Sequence, residues 1–244
     1  MRNVGIIMRR ELGGYFVTPL AYVFILIFLV LANWFTFYLG GLFERGQADL
    51  NPFFNFHPWL YLFLIPALSM RLWAEERKSG SIELLMTLPV TLWQAVLGKF
   101  LAAWLFAAIA LALTFPLWIT VNYLGSPDNG AILAAYLGSL LLAAGFFAIG
   151  SCMSALTRNQ VVAFILGVVV CFVFLLAGFP MVLDAFRGWA PQPLVDAIAS
   201  LSFLTHFESI TKGVIDFRDL LYFAMLIAYF LLATVVVLEV RKAE

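Results

Sequence analysis

The sequence predicts an all-α, polytopic membrane protein with six transmembrane helices, an N-terminal interfacial helix and a short cytoplasmic helix. Two observations support this prediction. The 244 residues are 64% hydrophobic and only 11% charged, and a water-soluble domain could not cover so much apolar surface with polar groups. Apolar runs of about eighteen residues or more also recur along the chain, and each is long enough to cross a bilayer as a helix.

Polar and turn-forming clusters divide the apolar sequence into six predicted spans within one transmembrane domain, residues 1–244. The third span is unusually long, and Pro116 is expected to kink it. The fourth span is rich in small residues, which let helix backbones approach closely in lipid. The predicted spans are residues 17–41, 53–73, 91–123, 131–156, 161–181 and 220–238.

Two further segments are predicted to lie along the membrane surface. Residues 1–16 place apolar side chains on one helical face with arginines off it, which is the pattern of an interfacial elbow helix. We expect this helix to turn into the first span at Gly13-Gly14. On the opposite side, residues 190–213 show helical spacing after two prolines and predict an external helical segment.

The distribution of lysine and arginine predicts the orientation, because cytoplasmic loops carry an excess of these residues. The side predicted to be cytoplasmic carries Arg2, Arg9, Arg10, Arg71, Arg77, Lys78, Lys99, Arg158, Arg241 and Lys242. The opposite side carries Arg45, Arg187, Lys212 and Arg218. Both termini and residues 75–89 are therefore expected in the cytoplasm, with the chain crossing a bacterial inner membrane several times.

The strongly polar run EERKSGSIELLMTLP, residues 75–89, interrupts the apolar sequence. After the serines and glycine that could cap a helix, apolar residues cover a broad arc at about 100° per residue. Pro89 ends any helix there. Two interpretations follow from the residues alone. The run is either a solvated loop between the second and third spans, or a helix too short to be stable without a partner that packs on it.

The stretch AEERKSGSIELLMTLPVT resembles the cytoplasmic loop of ABC-2 type transporter permeases, which carries the pattern E-x-x-x-G-[ST]-x-E-x-L-x-x-x-P. The matching residues are Glu76, Gly80, Ser81, Glu83, Leu85 and Pro89. The stretches NPFFNFHPWLYLFLIPALSMRLWAEERKSGSIELL, SALTRNQVVAFILG and LTHFESITKGVIDFRDLLYF are similar to the gliding-motility-associated subfamily, usually called GldF. The resemblance extends roughly from the first span to the end of the chain.

This resemblance implies six transmembrane helices, an elbow helix and a coupling helix in residues 75–89. It also implies a dimer with a second permease copy and contact with ABC ATP-binding subunits, which bind the ATP and Mg, so that this chain binds no cofactor. Membrane lipid and an accessory membrane protein of a gliding-type complex are further expected partners. The coupling residues it implies are Glu75, Glu76, Arg77, Gly80, Ser81, Ile82, Glu83, Leu85, Met86 and Pro89.

The predicted function is that of a permease subunit, which couples ATP hydrolysis by separate subunits to substrate movement or to a mechanical signal. The alternative is a membrane anchor or mechanical coupler of a motility or envelope complex that transports nothing. A secondary carrier would show related halves and ionisable groups at the middle of the membrane. An intramembrane enzyme would need a nucleophile and base, and the sequence predicts no catalytic residue.

The remaining polar residues give weaker signals. Asn33 and Thr36 in the first span are candidates for a dimer seam or substrate pathway, or for hydrogen bonds between helices. Lys99 follows a glycine, but the residues around it do not fit a phosphate-binding loop. His57 and His206 are expected to anchor helices at the outer interface rather than to bind a metal.

Two further classes of site are not expected. Both cysteines lie in apolar runs and are interpreted as inert buried thiols. A net charge of zero and the lack of a basic patch argue against a nucleic-acid partner.

Overall fold

The computed structural model describes residues 2–81, 90–188 and 190–241, and all regular elements within these ranges are helical. The predicted all-α class is confirmed. In chain order the helices are α1 (Arg2–Val17), α2 (Pro19–Trp34), α3 (Asn51–Asn55), α4 (His57–Ser69), α5 (Arg71–Ser79), α6 (Leu92–Ala112), α7 (Phe115–Leu124), α8 (Asn129–Leu156), α9 (Gln160–Leu176), α10 (Pro180–Arg187), α11 (Gln192–Ser200), α12 (Phe203–Thr211) and α13 (Phe217–Val240). A π-helical turn, Phe35–Leu39, extends α2.

The number of spans that the described ranges support by length and composition is four, or five if α9 and α10 are one broken span bent by 78°. These four are Ala21–Leu39, Leu92–Leu124, Asn129–Leu156 and Phe217–Val240. The class of multi-pass membrane protein is therefore confirmed, whereas a count of six is not reached by this measure. The difference lies at residues 53–73, where the chain forms the separate helices α3, α4 and α5 and α4 has only 13 residues, and at residues 161–181, where α9 has 17 residues and counts only together with α10.

The central helix of the bundle is α8, which packs against α4, α5, α6, α9, α12 and α13. Its small residues permit this packing. A Cβ atom at Gly145 would lie 2.9 Å from Cε1 of Phe203, so α12 reaches α8 only because no side chain stands between them. The carboxylate of Asp128 caps α8 by accepting hydrogen bonds from the backbone N–H groups of Gly130 and Ala131.

The N-terminal helix α1 lies along α6. Its Tyr15 and Phe16 rings lie 5.2 and 5.7 Å from the ring of Phe106. The expected turn at Gly13-Gly14 is wrong, because α1 continues through both glycines and ends at Val17. The turn comes at Thr18, since Pro19 begins α2 and its missing N–H costs nothing in the first turn of a helix.

The third predicted span is interrupted where Pro116 predicted a kink. Helix α6 ends at Ala112 and α7 begins at Phe115, with Pro116 in its first turn. Proline disrupts a helix interior but is tolerated at the start of one, so the break lies just before it.

Polar contacts gather at the two ends of the bundle. The proximal end holds α5, the start of α6 and the last turns of α8 and α13, where Arg241 Nη1 donates to the carbonyl of Leu156 at 2.6 Å. The distal end holds α3, α10, α11, α12 and the start of α13, where Tyr222 Oη donates to the carbonyl of Leu201 at 2.6 Å. Between the ends, α2 and α9 expose mostly apolar side chains.

Candidate functional site at the proximal end

Helix α5, which contains residues 75–79 of the run at 75–89, is attached to α8 by buried serines. Ser154 Oγ accepts hydrogen bonds from the backbone N–H groups of Trp73 and Ala74, each at 3.1 Å, and donates to the carbonyl of Met70 at 2.8 Å. The first amides of a helix have no partner within it, so Ser154 supplies from α8 the cap that α5 lacks. Trp73 Nε1 also donates to Ser151 Oγ at 3.0 Å.

Arginine side chains complete the attachment at the end of α8. Arg77 Nη1 donates to the carbonyl of Ala155 at 2.6 Å, beside the contact of Arg241 with Leu156. The last carbonyls of a helix lack backbone partners and carry partial negative charge, so a guanidinium suits both needs. Helix α5 is therefore fixed to α8 along its length.

A buried lysine joins α5 to two further helices. Lys99 Nζ of α6 lies 2.8 Å from Glu76 Oε1 of α5 and 3.2 Å from Glu11 Oε2 of α1. The same Nζ atom lies 5.4 Å from the centroid of the Trp73 ring. Only 3% of Lys99 is exposed, and a buried ammonium is tolerated only when it is paired. We call Lys99, Glu11, Glu76 and Trp73 the Lys99 cluster.

The predicted coupling residues divide between described and undescribed positions. Glu75 is exposed. The side chain of Glu76 points inward to Lys99, and the side chain of Arg77 points to α8. Gly80 ends α5 with a φ of +73°, a left-handed conformation that glycine adopts without steric cost. Ser81 Oγ lies 2.9 Å from Ser79 Oγ. Outside the described residues lie Ile82, Glu83, Leu85, Met86 and Pro89.

The two candidates in the first span bond to their own helix. Asn33 Nδ2 donates to the carbonyl of Leu29 at 2.7 Å, and Thr36 Oγ1 donates to the carbonyl of Ala32 at 2.6 Å. Such bonds to the preceding turn satisfy a polar side chain without a second helix. The structure therefore does not bring Asn33 or Thr36 into the proximal site.

The two histidines differ in burial, and each contacts a neighbouring helix. His57 joins α4 to α8, because its side chain is fully buried and its Nδ1 lies 2.6 Å from Ser139 Oγ of α8. His206 joins α12 to two other helices at the distal end, since its Nδ1 lies 2.6 Å from Asp219 Oδ1 of α13 and its Nε2 donates to the carbonyl of Ser200 of α11 at 3.0 Å.

Sequence reasoning missed Glu11, Lys99, Ser151 and Ser154 as members of the site. One available signal concerned Lys99, a charged residue in an apolar helix, because an intramembrane charge is costly and usually paired. The serines gave no such signal, because a serine in an apolar helix also packs well as a small residue.

The comparison with known families decides the class. The family model described as ABC-2 family transporter protein matches residues 35–240. The chain belongs to the ABC-2 transporter family. The match covers α5, the run at 75–89 and Lys99, and α1 with Glu11 lies outside it. No curated protein matches this permease.

Family membership settles the general role of the chain. ABC-2 permeases are the membrane components of ABC transporters and are not themselves catalytic. They generally work with an ATP-binding subunit. The proximal site is thus part of a transporter permease.

Proposed function

We propose that this permease transmits ATP-driven movement from separate cytoplasmic subunits to its transmembrane helices through residues 75–89. The ATP-binding subunits, which hold ATP and Mg, would contact Glu75, Gly80, Ser81, Glu83 and Leu85. The permease would then move a substrate, or a mechanical signal, across the bacterial inner membrane.

The observation that carries this proposal is the attachment of α5. The helix that leads into the proposed contact is joined by Ser154 and Arg77 to α8 and by Glu76 to Lys99. Packed helices with satisfied polar contacts resist independent movement, because displacing one would leave buried groups without partners. A force on residues 75–89 would therefore move α1, α5, α6 and α8 together.

The orientation of the permease follows from charge. Among the described basic residues, the proximal end carries Arg9, Arg10, Arg71, Arg77, Lys78, Lys99, Arg158 and Arg241. The distal end carries Arg45, Lys212 and Arg218. This distribution supports a cytoplasmic proximal end with both termini there, and the coupling loop would then lie on the side where ATP is available.

The assembly would contain two permease copies. Helix α2 exposes large apolar side chains, including Leu26 and Val30, which suit a second copy, whereas the exposed Val169 and Val173 of α9 suit lipid. We propose a homodimer of the gliding-motility-associated, GldF-like type, with an accessory membrane protein of such a complex as a further partner.

The proposed function can be tested on the purified complex. Co-expression with a cognate ATP-binding subunit, followed by affinity purification, measures assembly, and the rate of ATP hydrolysis measures coupling. Glu83→Arg and Leu85→Asp should reduce co-purification or the permease-stimulated rate at least about tenfold, whereas Asp196→Arg at the distal end should not. Unchanged assembly and unchanged turnover in both coupling variants would remove the proposal.

A further inference from the structure

A cleft opens at the distal end of the bundle, opposite the end that holds the Lys99 cluster, and both polar and apolar side chains line it. Helix α12 forms one wall, and the start of α4 with the turn between α9 and α10 forms the other. Two overlapping cavities there have volumes of about 530 and 520 Å³. We call this space the distal cleft. Its volume is in the range of small-ligand sites.

Helix α12 has one buried face and one face on the cleft. Phe207 and Ile210 are buried. Leu204, Glu208 and Lys212 follow each other at intervals of four residues and so share the opposite side, where all three line the cleft.

The cleft offers one free charge of each sign. Glu208 and Lys212 are both exposed, and within the described part of the chain neither has an oppositely charged atom within the 4 Å of an ion pair. Residues one helical turn apart have Cβ atoms about 5–6 Å apart, which is close to the separation of two charges linked by a short chain. The pair is therefore complementary to a small zwitterion rather than to a single ion.

The opposite wall is aromatic and lies against α12. The rings of Trp59 and Phe179 meet edge to face at 6.3 Å and line the cleft. The end of α9 approaches α12 so closely that a Cβ atom at Gly178 would lie 2.6 Å from Thr205 Oγ1. Because this approach depends on a missing side chain, the two walls are in direct contact beside the cleft.

Below the cleft, the surface becomes apolar. Phe172 lies seven residues, or about two turns, before Phe179 and is exposed, as are Val169 and Val173 on the same helix. The cleft thus lies where a membrane-spanning apolar surface ends, and tryptophan is enriched at that level of a bilayer. A ligand with a charged head and apolar chains fits both parts.

We propose that the distal cleft binds the headgroup of a zwitterionic phospholipid that carries a primary ammonium, as in phosphatidylethanolamine. Glu208 accepts hydrogen bonds from the ammonium, Lys212 pairs with the phosphate, and Trp59 and Phe179 pack against the glycerol region. The acyl chains lie along the exposed side of α9. This site does not depend on the coupling loop, and it can be present whether or not ATP-binding subunits bind residues 75–89.

Lipid retention by the purified full-length permease tests the proposal in the absence of any ATP-binding subunit. Native mass spectrometry would follow titrations with phosphatidylethanolamine, phosphatidylcholine and phosphatidylglycerol. Phosphatidylethanolamine should bind most tightly, and Glu208→Gln and Lys212→Gln should each weaken its binding about tenfold, as expected for a lost hydrogen bond to a charged group. Glu208→Gln should spare phosphatidylglycerol, which has no ammonium.

Matched controls remove exposed distal charges that do not line the cleft. Asp196→Asn and Arg218→Gln should leave phosphatidylethanolamine binding unchanged. A photoactivatable phosphatidylethanolamine should label the peptide that contains α12 in the native protein, and should label it less in the Lys212→Gln variant. Equal binding of the three lipids, or wild-type binding by both cleft variants, would overturn the proposal.

Discussion

Replacing Lys99 with methionine tests the ion cluster that joins three helices at the proximal end. The change keeps an unbranched side chain, one atom shorter, and removes the charge shared by Glu76 and Glu11. Glu76 Oε2 is already buried and has no hydrogen-bond partner among the described residues, so its carboxylate would lose its main stabilising contact. Glu11 keeps a contact with Arg10 at 3.3 Å and is a fifth exposed, so it would lose less.

The expected loss of unfolding free energy follows from the difference in burial between Glu76 and Glu11. Breaking a buried ion pair by removing one partner costs about 3–5 kcal/mol, and the cost here falls mainly on one of the two carboxylates. We therefore expect Lys99→Met to lower the free energy of unfolding by about 3 kcal/mol. Unfolding in mixed detergent micelles, followed by tryptophan fluorescence, measures this value. Lys78→Met on the exposed side of α5 is the matched control and should change it by less than about 0.5 kcal/mol.

A triple variant separates charge from packing. Replacing a whole buried ion cluster with neutral residues is often neutral, so Lys99→Met combined with Glu11→Gln and Glu76→Gln should recover most of the lost stability. The reasoning is refuted if Lys99→Met is as stable as the wild type, or if the triple variant is no more stable than the single one.

Three further changes test the rest of the account. Ser154→Ala should lower the free energy of unfolding by about 1–2 kcal/mol, because two buried backbone amides of α5 lose their acceptor, whereas the control Ser200→Ala at an exposed position should change it by almost nothing. Thermal unfolding measures both variants, and equal stability of Ser154→Ala and the wild type would contradict the role of Ser154 as a cap. His206→Ala should lower the free energy of unfolding by about 3 kcal/mol, because it leaves the nearly buried carboxylate of Asp219 without its partner. The double variant His206→Gln with Asp219→Asn should restore much of the lost stability, and an equal loss in the single and double variants in the same assay would contradict a charge pair. Burial raises the pKa of Tyr15 above its ordinary value, so the folded state disfavours its ionisation and loses stability as the pH rises above about 10; Tyr15→Phe should lessen that loss in alkaline melting curves, and identical curves would exclude it.

Much of the fold could be predicted because it depends on local pattern. Continuous apolar runs predict helices in lipid, small residues predict the crowded α8, and Pro116 predicts the break between α6 and α7. The turn after α1 was misplaced because Gly13 and Gly14 are tolerated in a helix, whereas Pro19 starts a new one. A proline in a first turn was the stronger signal.

The candidate site was less predictable because its contacts join distant parts of the chain. Glu11, Glu76 and Lys99 come together only after three helices pack, and no spacing within one helix reports that. The coupling motif identified Glu76 as important, but it could not show that this side chain points into the bundle.

The central claim is that an ATP-binding subunit binds residues 75–89, and site-specific crosslinking tests this claim most directly. A photoreactive amino acid at position 83 or 85 would be compared with one at the exposed distal Tyr123, in membranes that contain the whole complex. The account predicts that positions 83 and 85 crosslink to the ATP-binding subunit and that position 123 does not. Crosslinks from 83 and 85 to lipid alone would contradict it.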